Sequence, residues 1–560
     1  MKKYIEKKLT EYPVIDGFSK LESVIFIENG FNSATDVYNN FPDLYTKSWL
    51  SKFLSSELST IDGSKEFGSF IKANKDKKYC IIGDYDADGI MATTIMKIAL
   101  DGFGVKESKF IIPDRLNDGY GIKVKHVDKA IELGSEVIIT VDNGITAVDV
   151  VEYAKSKGLS VIVTDHHIPD KANLPKADLL VNPHLTDEKF EHICGAMVAL
   201  KLSLSILDVK DKAYEYLLKD AALFAAVATI SDVMPLIGEN RSLVKYVLDN
   251  VNYYKNRNIW AGRTLKFLSG FGVGKYLITD PNLYITEDTF GFYVGPTINA
   301  SGRVNGETEG IITDIIEAGE YGKYIQGYRE INRERQQKTR EIFKEHVPNP
   351  KESVGFMVID PDKYEYPIGG LIGLVANRIS DKEQKPAFVG TEKDGKISFS
   401  CRSIPGYSLY EGLGRFMQKY PNTTVEGGGH DGAIGLRTSS QEEIQLLKEH
   451  FNQDFVEYSK EFEVPVFLYD SSFESEIFDS HYALAPFGHG FRKLMFQYKG
   501  KVTKYIPETK ELFVDRLRFK TYIFEDSLPA IGTDVRVIFS AMTDSDIDSS
   551  FKIEELDVIK

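Results

Sequence analysis

The sequence predicts an α/β protein built on a parallel sheet, with a smaller α/β lobe behind it and a β-barrel at the end. Three observations predict this. Between Tyr79 and Pro183 short apolar runs alternate with helix-length segments, the rhythm of a parallel sheet covered on both faces. A strongly charged helical stretch from about Ile315 to His346 separates this region from a second mixed one. Beyond Val464 apolar and polar residues alternate, as in strands with one buried face. A chain of 560 residues also exceeds what one core accommodates.

Taken in order, residues 1–74 read as short helices, from Leu21, Val24, Ile25, Ile27 and then Val37, Tyr38, Phe41. Met1-Lys2-Lys3-Tyr4-Ile5-Glu6 has no apolar run behind its lysines, so no signal peptide is expected and the cytoplasm is the expected compartment. The first α/β domain spans 75–314. Its strands are Tyr79–Ile82, Phe110–Ile112, Val137–Val141, Ser160–Thr164 and Leu179–Val181, with helices at Ile90–Leu100, Val124–Leu133 and Ala147–Lys157. Ala221–Ile230 is a further apolar helix, closed by Ser231-Asp232. Residues 315–347 form the charged connector and 348–458 the second lobe. Phe356–Ile359, Ala387–Val389 and Ile397–Ser403 are that lobe's strands. Residues 459–560 suit a small barrel of the OB type, a common carrier of single strands.

Composition excludes several classes. Apolar residues make up 42% of the chain, and no stretch is long and apolar enough to span a bilayer. Cys80, Cys194 and Cys401 stand far apart, which rules against a disulfide framework or a zinc site. A formal net charge of −15 argues against non-specific duplex binding but leaves room for a local basic groove.

The sharpest stretch is Gly83-Asp84-Tyr85-Asp86-Ala87-Asp88-Gly89, directly after the first strand. Carboxylates this close repel each other unless a cation sits among them. Hard oxygen ligands suit Mg²⁺ or Mn²⁺. An EF-hand would need Glu where Met96 stands. Asp142-Asn143-Gly144 and Asp165-His166-His167 follow two further strands, and strand ends of a parallel sheet open onto one edge. Asp232 would arrive from a helix end. Taken singly, each of these residues reads as an ordinary turn or cap; the set points to a metal site. Arg303, Arg402 and His430 could grip phosphate oxygens, with Ser400 and Ser403 as weaker candidates. Gly428 and Gly429 would let backbone approach a ligand. Tyr120 could stack on a base.

The ordered set D-Y-D-A-D-G, V-D-N-G, T-D-H-H, S-D-V-M-P-L and G-G-G-H-D resembles the DHH phosphoesterase superfamily with its DHH-associated domain. Asp118-Gly119-Tyr120-Gly121, Asn299-Ala300-Ser301-Gly302-Arg303, Asn332-Arg333-Glu334-Arg335-Gln336 and Ala485-Pro486-Phe487-Gly488-His489-Gly490 resemble its RecJ family of single-strand-specific 5′ exonucleases. Pro367-Ile368-Gly369 departs from that family's W-H-P-G run, and Phe491-Arg492 stands where Asn-Pro is usual. The resemblance implies two Mn²⁺ or Mg²⁺ ions per site, held by Asp86, Asp88, Asp142, His166 and Asp232, with Asp84 beside them. His167, His430, Asp165 and Asp142 are the implied catalytic residues. Tyr120, Asn143, Arg303, Ser400, Arg402, Ser403, Gly428 and Gly429 are the implied substrate contacts. The implied reaction is 5′→3′ hydrolysis of single-stranded DNA to 5′-mononucleotides, in recombination or repair. The protein would be a monomer, with a helicase or a single-strand-binding protein as partner. A phosphodiesterase for short oligonucleotides or cyclic dinucleotides, and a non-catalytic single-strand binder, remain alternatives.

Overall fold

The computed structural model describes residues 2–44, 60–186, 192–207, 212–256, 271–273, 276–277, 284–317, 321–393, 395–521, 528–543 and 549–559. It opens with a strand, β1 (Lys2–Lys7), which corrects the helical expectation for the first residues. β1 runs parallel to β14 (Phe462–Leu468), with Lys2 opposite Phe462 and Lys7 opposite Phe467. Helices Lys20–Glu28 and Ala34–Asn40 follow. Ser19 and Ser33 start them by accepting from Glu22 N and Asp36 N. Their Leu21, Val24, Phe26 and Val37 join one apolar cluster with Phe487, Phe491 and Leu494 of the C-terminal lobe.

The central sheet contains β2 (Lys78–Ile82), β3 (Glu107–Ile111), β4 (Val137–Val141), β5 (Ser160–Thr164) and β6 (Leu179–Val181). Their order is β3-β2-β4-β5-β6, and every pairing is parallel. Period-two alternation divides its side chains between two cores. Tyr79, Ile81, Val137, Ile139 and Ile162 pack with helices Ala87–Phe103, Gly195–Ser203 and Lys212–Ser231. Cys80, Ile82, Ile138, Val161 and Val163 pack with helices Val124–Glu132 and Val148–Ser156. The chain reverses its direction of winding between β2 and β4. At such a switch point the carboxyl ends of the two strands leave a crevice for ligands. Asp84 and Asp142 follow these two strands.

A short hairpin, β7 (Gly272–Val273) and β8 (Tyr276–Leu277), precedes the helix Gly295–Val304, which carries Arg303 in its last turn. The charged helix spans Tyr321–Glu345. It is not solvated all round, because Asn332, Thr339 and Ile342 are buried. It leads to β9 (Gly355–Ile359), β10 (Ala387–Lys393), β11 (Lys396–Arg402), β12 (Glu426–His430) and β13 (Ala433–Thr438), in the order β12-β13-β11-β10-β9. Helix Ile372–Glu383 covers one face, and Leu409–Lys419 with Gln441–Tyr458 the other.

The last region begins with β14 and a helix, Glu474–Leu484. Then come β15 (Met495–Ile506), β16 (Glu511–Val514), β17 (Leu517–Lys520), β18 (Asp534–Thr543) and β19 (Ser549–Val558). Their pairings run from β15 through β16, β17, β19 and β18 back to β15. Phe519, Phe539 and Phe551 pack edge to face inside, with Phe519–Phe539 and Phe539–Phe551 centroids 5.0 and 4.7 Å apart. The three cysteines are free and buried. Among the described residues no helix is long and apolar enough to cross a membrane.

Arg241 ties the regions together. Fully buried, it donates to Pro486 O at 2.7 Å, Leu484 O at 2.8 Å and Asp43 Oδ2 at 3.2 Å. The rings of Phe41 and Phe491 each lie 5.1 Å from its guanidinium carbon. Arg241→Met would leave buried acceptors without a donor and Asp43 without its cation. It should cost about 3 kcal/mol, read as a lower urea midpoint with the C-terminal lobe unfolding first.

Candidate metal centre and anion pocket

Each carboxylate at the switch point is fixed by local backbone geometry. Asp86 caps helix Ala87–Phe103, and its Oδ1 accepts from Asp88 N at 3.0 Å and Gly89 N at 3.2 Å. Asp88 spans to a second helix, accepting from Gly195 N at 2.7 Å and Ala196 N at 2.8 Å. Both side chains thus sit at helix N-termini, where the dipole favours negative charge. Asp142 occupies a left-handed backbone position, φ 60°, a strained conformation for a non-glycine residue. Its carboxylate fits only because residue 195 is glycine, since a Cβ there would lie 2.6 Å from Asp142 Cβ. Asp232 ends helix Lys212–Ser231.

These side chains converge on His166. Its Nε2 lies 3.1 Å from Asp142 Oδ1, 3.6 Å from Asp88 Oδ2 and 3.6 Å from Asp232 Oδ2. Three overlapping groups each gather potential ligand atoms within 4.8 Å: Asp84, Asp86 and Asp142; Asp88, His166 and Asp232; and Asp142, His166 and His167. Asp142 belongs to the first and third of these, which is the position expected of a bridging carboxylate.

Electrostatics say the same. Burial, then repulsion from Asp86, pushes Asp84 well above the ordinary carboxylate range. Asp142 and Asp232 are raised by burial and then by Asp88, and Asp88 is raised chiefly by burial. Burial also lowers His166, which keeps the imidazole neutral and its nitrogen free to ligate. Asp84 Oδ1 and Asp142 Oδ1 are buried without a hydrogen-bond donor. Oxygen-rich donors with one imidazole, crowded and unsatisfied, fit hard divalent cations such as Mn²⁺ or Mg²⁺.

Asp165 differs from its neighbours. Its Oδ1 accepts from His166 N, His167 N and His167 Nδ1 at 2.7, 3.1 and 2.8 Å, and its Oδ2 accepts from Ile145 N at 2.9 Å. It orients His167, and four hydrogen bonds already engage its two oxygens. Burial alone would lower the His167 ring, but the Asp165 hydrogen bond and charge lift it to about 9. Tyr120 Oη lies 3.2 Å from His167 Nδ1, and the ring is 43% exposed at the rim. Asn143 departs from the expectation of substrate contact. It is fully buried, and its Nδ2 donates to Ile82 O at 3.1 Å and Val141 O at 3.0 Å, so it ties strand ends together.

A cationic pocket lies beside the carboxylates. Burial, then Arg115, Arg335 and Arg402, hold Arg303 well below the ordinary arginine range, while Asp86 acts in the opposite sense. Burial brings Arg335 down to about 10. Among the described residues none of these four arginines pairs with a carboxylate. Arg303 Nη1 donates to Gly370 O at 3.3 Å across the two lobes. Arg402 Nη1 donates to Ser400 Oγ at 3.2 Å and Cys401 O at 2.8 Å. The start of helix Ile372–Glu383, which no side chain caps, adjoins them; a Cβ at Gly373 would meet Ser400 Oγ at 2.8 Å. Guanidinium groups without a carboxylate partner, beside a helix N-terminus, make an anion site. Sequence reasoning missed Arg115 and Arg335. Arg335 lies in a helix whose charge reads as solvated, and only its burial reveals its direction.

The remaining candidates lie on the second lobe. His430 sits near Arg402 and Asp431 rather than among the carboxylates, and its Nδ1 accepts from Gly432 N at 3.2 Å. Ser403 departs from the expected phosphate contact, since its Oγ donates to Tyr407 O at 2.7 Å within a turn. Gly428 and Gly429 belong to the exposed edge strand β12.

Two family models match the chain: the DHH family, N-terminal domain, over residues 78–229, and the DHHA1 domain over 365–457. A Salmonella typhimurium protein named single-stranded-DNA-specific exonuclease RecJ is 30% identical over 435 residues, 74% of this chain and 71% of that protein. The chain belongs to the RecJ family. A RecJ of Thermus thermophilus is 29% identical over 78% of this chain and 62% of its own length. The crystal structure of Thermus thermophilus RecJ in complex with Mn²⁺ superposes with a TM-score of 0.70 at 22% identity, covering 97% of this chain and 76% of that one. A second RecJ structure, an exonuclease bound to manganese, gives 0.54 at 27% identity over 70% of this chain and 94% of its own.

Two outcomes follow for the metal-free protein. A carboxyl whose folded pKa is raised destabilises the fold above its unfolded value near 4, so these groups add stability as pH falls from neutral towards ~4. Asp142→Asn mimics the protonated form and should raise the melting temperature in chelator by about 2–4 °C. His167 has the opposite sign: its contribution is complete below its unfolded pKa of about 6.5 and is lost as pH rises through about 9. NMR titration should find the His167 ring near 9, and Asp165→Asn should bring it down.

Proposed function

We propose that this chain is a metal-dependent exonuclease that hydrolyses single-stranded DNA 5′→3′ to 5′-mononucleotides. One observation carries the reading: a crowded, partly unsatisfied carboxylate–histidine cluster stands next to an unpaired arginine pocket contributed by both lobes. The first suits divalent cations and the second a terminal phosphate. The named activity of the RecJ relatives agrees with both.

In this reading Asp86, Asp88, Asp142, His166 and Asp232 hold two ions, Mn²⁺ or Mg²⁺, with Asp84 alongside. When bound, the pair supplies charge stabilisation of the attacking and leaving oxygens. The protein's own groups do the rest. Arg303, Arg335 and Arg402 with Ser400 fix the 5′-phosphate and so select the end of a strand. His167, cationic through Asp165, faces the scissile phosphate and holds its charge. Tyr120 offers a ring for the terminal base at the rim. His430, beside Arg402, orients phosphate oxygens. No serine or cysteine nucleophile is required, and water attacks. The paired ring β15–β19 would act as an OB-like lobe that tracks the strand. The enzyme would act as a cytoplasmic monomer in recombination or repair, alongside a helicase or a single-strand-binding protein.

The test uses 5′-labelled and 3′-labelled single strands with Mn²⁺. Asp142→Ala should reduce turnover by about 10²–10³-fold or more, comparable with the loss of other single electrostatic groups that act on the transition state; activity within a few-fold of the parent would reject the bridging role. Arg402→Ala and Arg335→Ala should each raise KM for 5′-phosphorylated DNA by about 10–100-fold, the loss of one charge-assisted contact. The same variants should narrow the preference over 5′-hydroxyl DNA. Equal preference in parent and variants would remove the phosphate assignment.

A further inference from the structure

Asp232 is the one carboxylate of the cluster delivered from a helix C-terminus, and its surroundings are unusual. The helix ends with Val233 N donating to Ile230 O at 3.2 Å and Met234 N to Thr229 O at 3.0 Å. This bond pair defines a Schellman ending, in which the residue after the cap adopts the left-handed conformation and is usually glycine. Here that residue is Val233, at φ 56°. A β-branched side chain there is strained, and such strain persists only where neighbours over-determine the backbone. Val233 is also 64% exposed, so its own side chain gains little by burial.

The neighbours that hold it come from the C-terminal lobe. Leu236 N donates to His489 O at 2.7 Å. The His489 ring faces the Val233 backbone carbonyl. Gly490, at φ 74°, packs so closely that a Cβ would stand 2.9 Å from Pro235 Cβ. A Cβ at Gly488 would stand 2.8 Å from Leu236 Cδ1. The turn is itself closed by Gly488 N donating to Phe491 O at 2.8 Å. From the other side the buried Asn240 Nδ2 donates to Pro235 O at 3.1 Å.

We propose that the turn Gly488–Gly490 is a positioning element of the metal centre, clamping the loop Val233–Leu236 so that Asp232 meets His166. His489 is the positioning residue, acting through the Val233 carbonyl rather than by touching a ligand. The C-terminal lobe thereby helps to assemble the catalytic lobe's site, besides any role in gripping a strand. This rests on the reading of the cluster as a two-ion site.

Calorimetric titration of the full chain with Mn²⁺, without DNA, tests it. His489→Ala and Gly490→Ala should each weaken one of two ions by about 10-fold, the usual effect of removing a group that orients a ligand. Turnover should return at saturating Mn²⁺ with KM for DNA unchanged. Adding Val233→Gly, which relieves the strain, should restore the affinity lost in Gly490→Ala. Lys493→Ala, at the same junction but on the Glu287 side, should leave Mn²⁺ affinity unchanged. Affinities within two-fold of the parent in both His489→Ala and Gly490→Ala would overturn the clamp. So would an activity loss that tracks melting temperature and ignores added metal. Asp232→Asn separates the two readings: if it leaves Mn²⁺ binding intact, the two-ion reading fails first.

Discussion

Mutual repulsion among Asp84, Asp86, Asp88, Asp142 and Asp232 is the constraint on which the rest of the architecture depends. Carboxylates removed from water this close together oppose folding unless something holds them apart or neutralises them. The fold answers with rigid backbone. Two helix N-termini receive Asp86 and Asp88. A left-handed kink aims Asp142, and a strained helix ending presents Asp232. The parallel sheet beneath, buried on both faces, is stiff enough to keep these groups where they would not go unaided. What is left unsatisfied is a demand for positive charge that the surrounding protein does not meet.

The same chain collects the opposite sign a short way off. Arg303, Arg335 and Arg402 are as underpaired as the aspartates are crowded, and they arise from a helix, the connector and a strand of the second lobe. A formal net charge of −15 therefore says little about the cleft. In the proposed reading, this local separation of sign would orient an anionic chain, its end towards the guanidinium groups and its first diester at the carboxylate edge. In that reading neither half suffices, because phosphate without cations would meet repulsion at Asp84 and Asp142.

The parallel sheet was legible because its signals are local. β2, β4, β5 and β6 are largely apolar runs, whereas only the end of β3, Phe110-Ile111, is apolar; the acidic residues sit directly behind β2, β4 and β5. The convergence of these carboxylates with His166 was legible for the same reason. Arg335 was hidden, because a charged helix looks solvated on every side until Asn332 and Ile342 are seen to be buried. Asn143 and Ser403 misled in the other direction, since a polar residue at a strand end looks alike whether it faces a ligand or a backbone carbonyl. The left-handed turn at Val233 leaves no trace in composition. β1 was missed because its lysine-rich sequence suits an edge strand, and nothing nearby in the chain advertises its partner.

That partner has a temporal consequence. β1 and β14 are joined in parallel register, Lys2 with Phe462, so a strand made early must wait for a partner made much later. Until then Phe26 and Phe41 have no aromatic neighbours from the C-terminal lobe to cover them. A product truncated before Phe462 would leave the apolar faces around Phe26 and Phe41 uncovered while its central sheet stands finished. Such a fragment would expose its apolar surface far along the chain from the break.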